Sequence, residues 1–246
     1  MNKRAQKAID QAMVQLFFDH PFYSSILLKR EFVQTTQIPT LGVNFTHLYY
    51  NPDFFLSLSP RVRVAALAHE TLHPALGHLT RVGSRDKLRW NMAGDFVINA
   101  GLKKDGMEIG PNWLFDPQYD GMSTEEIYEK LTPDDMQKIA EQGGGDGDGD
   151  QSQPGGLGQD IDFSGKPKDA STQSAQEAQI KVELAQAAAI AKAQGKLPGH
   201  IKELVDGLLK PRVPWGQELA MFFNHIARNN YNWFPPSTRY LQSGIV

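Results

Sequence analysis

Hydrophobic side chains recur at helical spacing from the start of the chain. Ile9, Met13, Leu16 and Phe17, set among Asp10, Gln11, Gln15 and Asp19, predict an amphipathic first helix. The pattern then shortens. Val43, Phe45, Leu48, Tyr49 and Tyr50 are β-branched, aliphatic and aromatic, close on the turn Asn51-Pro52-Asp53, and predict one or two short strands. Ser59 followed by Pro60 is a helix start, and that helix is expected to run to about Arg81, with Gly83 just beyond it. A second helix is predicted from Asp86 to Leu102, and Ser123 with Glu126 forms a capping-box signature for a short third one. Later, an Ala-rich run ending near Gly195 and two proline-opened segments, "PGHIKELVDGLL" and "PWGQELAMFFNHIAR", predict three more helices. The outline is α+β: mostly helical, with a small β-sheet.

One stretch carries no periodicity. Residues 143–169 are rich in Gly, Asp and Ser and nearly devoid of large apolar residues, which predicts a flexible linker or loop. Its D-G-D-G-D core does not fit an EF-hand: counted from Asp146, the sixth position is Gln151 instead of Gly and the twelfth is Leu157 instead of Glu. The chain thus divides into a core of residues 1–142, the linker, and a helical C-terminal part of residues 170–246 expected to pack on the core.

Composition narrows the function. The 246 residues carry a net charge of −3, and the linker accounts for it, with Asp146, Asp148, Asp150, Asp160, Asp162 and Asp169 against Lys166 and Lys168. The rest is near neutral and offers nucleic acid no basic face. There is no cysteine, which excludes disulfides, thiolate metal sites and cysteine nucleophiles. The polar interruptions in the first helix make the N-terminus read as an amphipathic helix rather than a signal peptide, and no window approaches the length of a membrane span, so a soluble, cytoplasmic protein is expected.

The chemistry is concentrated in "AALAHETLHPALGHLTR", residues 65–81, which holds three of the seven histidines. His69 and His73 bracket Glu70 as H-E-x-x-H, a pattern expected only about 0.01 times by chance in this composition. Residues four apart share a helix face, so both imidazoles can meet one ion, and neutral imidazole suits Zn²⁺. Glu70, one position beyond the first ligand, is placed to act as general base on a water activated by that ion. The apolar neighbours Val64, Ala65, Leu67, Ala68 and Leu72 put the motif on a largely buried helix, where a carboxylate needs a strong reason to be.

A catalytic zinc site requires a third protein ligand. His78 is nearest, but nine residues along a continuous helix turn it about 180° away from His69. Pro74 is a possible break, although a proline kink does not easily reverse a residue's direction. Asp95 in "WNMAGDFVINAG" is favoured. In the gluzincin pattern a second helix supplies an acidic third ligand, and Asn99, four residues later, is a candidate acceptor for the other ring N–H of a ligating histidine. Tyr49, Tyr50, His78 and His200 are all candidates to stabilise an oxyanion. The strand around Thr46–Tyr50 is a candidate to pair with an extended peptide.

"HETLHPALGHLTR" followed by "WNMAGDFVINAGL" resembles the HExxH, zincin-like metallopeptidase domain that commonly precedes a von Willebrand factor A-like domain in bacterial and phage proteins. The tail "VPWGQELAMFF…YNWFPPSTRYLQSGIV" is similar to the segment leading into that second domain. The resemblance implies a zincin-like core, a peptide or protein substrate, and His69, Glu70 and His73 as the metal and catalytic residues. It also implies Asp95 as a further ligand and, by analogy, a MoxR-type ATPase as partner. The D-x-S-x-S metal-adhesion pattern of the second domain does not occur in these residues. The expectation is a zinc metallopeptidase; the alternative is a metal-containing interaction module whose peptidase activity is lost or latent.

Overall fold

The computed structural model describes residues 2–143 and 170–209 in one unit, and residue 216 with residues 219–223 in a second. The linker expected at 143–169 lies outside the described residues apart from Gly143, as does most of the segment from Pro214 onward. In the second unit, residues 219–223 are helical, and the rings of Phe222 and Phe223 meet edge-on at 5.9 Å.

Within the first unit, α1 (Lys3–Asp19) is capped by Asn2, whose side chain accepts from the amides of Arg4 and Ala5. Its buried face is Ala5, Ala8, Ile9, Ala12 and Leu16, whereas Phe17 is exposed. The short α2 (Pro21–Leu27) is buried on nearly every side, so its sequence shows no amphipathic period. Three strands follow, β1 (Glu31–Gln34), β2 (Leu41–Val43) and β3 (His47–Tyr50), in the order β1-β3-β2. β1 pairs parallel with β3, Glu31 opposite His47, and β2 pairs antiparallel, Leu41 opposite Tyr50. The sheet corrects one expectation. β3 is the central strand and both its edges are already paired, so it has no edge to offer an extended peptide.

After α3 (Pro52–Ser57) come the two helices that hold the site. α4 (Pro60–Ala75) is capped by Ser59, whose hydroxyl accepts from the Val62 amide, as the Ser-Pro start predicts. It does not continue to Arg81. Leu76 closes it, Gly77 takes a left-handed conformation at φ 70°, and a separate turn, α5 (His78–Arg81), begins. α6 (Lys87–Lys104) is capped by Asp86. The predicted capping box is present at α7 (Thr124–Lys130), followed by α8 (Pro133–Gly143), α9 (Ala170–Ala193) and α10 (Gly199–Leu209). α9 packs on α2 and α4. The fold is α+β, mostly helical with one small sheet.

α6 stands between two apolar clusters. Ile98 and Leu102 join the main core with α1, α2, the sheet, α4 and α9. Met92, Ala93 and Phe96 pack with Leu114, Tyr119, Ile127 and Leu131 in a second cluster. Polar residues in a helix so enclosed must find partners inside the protein. No helix among the described residues is long and apolar enough to cross a membrane.

Candidate metal centre

α4 and α6 pack against each other, and their polar residues meet at the contact. His69, Glu70 and His73 are 0% exposed and Asp95 is 2% exposed. His69 Nε2 and His73 Nε2 lie 3.0 Å apart, and Asp95 Oδ1 lies 3.5 Å from the first and 3.4 Å from the second. Three ligand atoms on a zinc ion at about 2.0–2.1 Å, in tetrahedral directions, stand about 3.3–3.4 Å from one another. The triangle fits that requirement, and these three residues form a buried cluster that could hold a metal ion.

The residues around the triangle aim its members. Asn99, one helical turn beyond Asp95, donates from Nδ2 to the Leu114 carbonyl at 3.0 Å. That turns its Oδ1 toward His69 Nδ1, which donates to it at 2.8 Å, so the His69 lone pair sits on Nε2 and faces the cluster. On the other side of Asp95, Asn91 Nδ2 lies 3.5 Å from Asp95 Oδ2, leaving Oδ1 as the oxygen directed at the histidines. Asn91, Asp95 and Asn99 thus form one polar stripe along α6 at helical spacing. The Trp113 ring meets His69 edge-on at 5.5 Å. It is seated against Gly110, where a β-carbon would come within 2.5 Å of the indole nitrogen. Trp113 and Leu114 also line a cavity of about 340 Å³ with Phe96, Phe115 and Tyr119.

His78 does not join the triangle, but the helix-angle argument is not the reason. The break at Gly77 frees α5 from the register of α4, and His78 comes back beside His73. Their Nδ1 atoms are 3.1 Å apart, and His78 Nε2 is 3.0 Å from Thr124 Oγ1. Trp90 Nε1 donates to the His78 carbonyl at 2.9 Å. Pro74 lies in the last turn of α4, and its carbonyl accepts from Gly77, so it belongs to the helix end rather than to a kink. Of the other residues considered for an oxyanion, Tyr50 donates to Gln6 Oε1, and the Tyr49 hydroxyl accepts from Asn44. The His200 side chain lies outside the described residues.

Burial sets the charge state of the cluster. Desolvation lowers the pKa of His73 to about 4, outweighing the opposing pull of Asp95, so the ring is neutral at physiological pH. His78 is held well below its ordinary value by burial and by the neighbouring His73 and Arg81. For Asp95, burial alone would raise the pKa, but His69 and His73 beside it bring the carboxyl below its usual range. A neutral imidazole at His73 and a carboxylate at Asp95 are protonation states that a divalent cation needs.

Asn91, Thr124, Leu114, Trp113 and Gly94 are the residues of this centre that the sequence reading missed. Asn91 had a signal, four residues before Asp95 on the same face. Gly94, inside a buried helix, had a weaker one. Thr124 had none.

A family model described as "Putative metallopeptidase domain" matches residues 3–245, and the chain belongs to that metallopeptidase-like family. A Thermotoga maritima protein named only "Uncharacterized protein" is similar, 24% identical over 158 residues. The match covers 55% of this chain and 40% of that protein, so the chain spans well under two thirds of its relative's length. No solved structure matches the chain.

Proposed function

We propose that this protein is a zinc-dependent hydrolase, a metallopeptidase of zincin type, with His69, His73 and Asp95 as zinc ligands and Glu70 as general base. The observation that carries the proposal is the buried His-His-Asp triangle of 3.0–3.5 Å edges, with a glutamate adjacent in sequence, in a chain of a metallopeptidase-like family. Zinc, when bound, supplies Lewis acidity, lowering the pKa of water to about 7 and polarising a carbonyl. The protein's own residues do the rest. Asn99 keeps the His69 lone pair on Nε2, and the α6 stripe presents one oxygen of Asp95 to the pair. Glu70 takes a proton from the attacking water at its carboxylate and passes it to the leaving amine nitrogen. The cavity that shares Trp113 and Leu114 with the site is the space this reading gives to the substrate. A cytoplasmic location and a MoxR-type ATPase partner belong to the same proposal.

A second reading has one observation in its favour: the general base and all three ligand residues are buried. That suits a metal-containing interaction module with latent activity. Glu70→Gln separates the two. In the peptidase, the variant retains one zinc per chain by metal analysis and loses cleavage of a casein or peptide-library substrate by about 10²–10⁴-fold. Equal zinc in both proteins, with no turnover in either, establishes the module instead.

A further inference from the structure

Thr124 opens α7, 46 residues beyond His78, and nothing about its sequence position suggests a part in a metal site. It is nevertheless 2% exposed, with its hydroxyl 3.0 Å from Nε2 of a histidine that is itself 0% exposed. That histidine touches a proposed ligand, His73, through Nδ1 at 3.1 Å. The three side chains form a buried chain of two hydrogen bonds, and it ends at the metal triangle.

We propose that Thr124 is a positioning residue of the metal centre, the acceptor that lets His73, through His78, turn its Nε2 lone pair to an ion. The inference rests on the reading of His69, His73 and Asp95 as the ligand set. Each contact in the chain holds one proton, so the chain has two polarities. In one, His73 Nδ1–H donates to His78 Nδ1, and His78 Nε2–H donates to Thr124 Oγ1. His73 then presents the Nε2 lone pair to the triangle. In the other, the Thr124 hydroxyl donates to His78 Nε2, and His78 Nδ1–H donates to His73. The His73 proton is then on Nε2, donated to the His69 Nε2 lone pair at 3.0 Å, and a bound ion has to displace it. The first polarity requires an acceptor at the far end of the chain, because a buried N–H without one is the costlier omission. The Thr124 oxygen is that acceptor.

The surroundings are built for this placement. Gly94 lies in the interior of α6, where glycine weakens a helix. A β-carbon there would come within 2.7 Å of His78 Nδ1 and 2.8 Å of Cε1, so only glycine lets the ring lie against α6 and reach His73. The Trp90 hydrogen bond to the His78 carbonyl anchors the backbone of the same residue.

Two substitutions at Thr124 test the proposal in the full chain. Valine keeps the shape and removes the oxygen; serine keeps the oxygen and removes a methyl group. Zinc affinity is read by competition with a chromophoric chelator. Thr124→Val is expected to weaken zinc binding about 10–100-fold, while Thr124→Ser stays near the parent. In a His78→Ala background, Thr124→Val should have no further effect on zinc affinity, because its route to His73 is gone. An unchanged affinity in Thr124→Val, or an equal loss in both backgrounds, overturns the proposal. A parent protein that binds no zinc overturns the ligand assignment, and this proposal with it.

Discussion

Asp95 shows how much of the centre depends on single atoms. Its Oδ1 makes no hydrogen bond although the residue is almost wholly buried, and it faces two imidazole nitrogens at 3.5 and 3.4 Å. A buried carboxylate oxygen in that position is strongly stabilised by a cation. Asp95→Asn keeps the shape and removes the charge, so zinc affinity measured by chelator competition should fall by more than the about 10–100-fold expected for Asn99→Ala. Asn99 acts one step out, through His69 Nδ1. If Asn99→Ala weakens zinc more than Asp95→Asn does, the third ligand has been misassigned. The H-E-x-x-H spacing made His69, Glu70 and His73 readable as a unit, because four residues on a helix share a face whatever the rest of the chain does. The asparagines on either side of Asp95 were readable by the same rule only in part, since a polar residue on an apolar helix does not announce its partner.

At the scale of elements, Gly77 decides where His78 goes. The Ser59-Pro60 start and Gly83 beyond the end predict one helix to about Arg81, and the left-handed Gly77 inside it divides it into α4 and α5. A β-carbon on Gly77 would meet Thr80 and Arg81 at 3.5 Å or more, which is ordinary contact, so a side chain there costs backbone conformation rather than space. Gly77→Ala is therefore expected to destabilise the protein by about 1–2 kcal/mol in urea unfolding. Because the strain falls beside His78, it should also weaken zinc binding. Gly77→Asn should recover part of both losses, since asparagine tolerates the left-handed region better. No recovery with asparagine would mean that steric crowding, and not backbone conformation, governs the turn. The short elements missed from the sequence share a cause. α2 is buried almost all round, β1 is four residues long and α5 is a single turn, so none is long enough or one-sided enough to show a period.

Across the described unit, α9 follows in sequence after residues 143–169 yet packs on α2 and α4. Arg30, just after α2, and Glu183 on α9 form a buried ion pair at 2.7 Å, with side chains 2% and 10% exposed. Arg30 Nη1 also donates to the Ile26 carbonyl, so the guanidinium ties the end of α2 to α9. Removing one partner leaves a buried charge uncompensated, and Glu183→Ala should lower stability by about 3–5 kcal/mol in urea unfolding. A loss under 1 kcal/mol would show that α9 is held by its apolar face alone, through Ile180, Leu184, Ala187 and Ala191. Sequence by itself determined the helical α+β character, the helix starts at Ser59-Pro60, Asp86 and Ser123, and the pairing of His69 with His73. All of these rest on interactions between residues within a turn or two of each other. Only the tertiary structure decided that Asp95 completes the triangle, that β3 lies in the middle of its sheet, and that His78 bridges His73 to Thr124. These depend on which helix faces meet and where a single glycine breaks the register, and neither is written in local spacing.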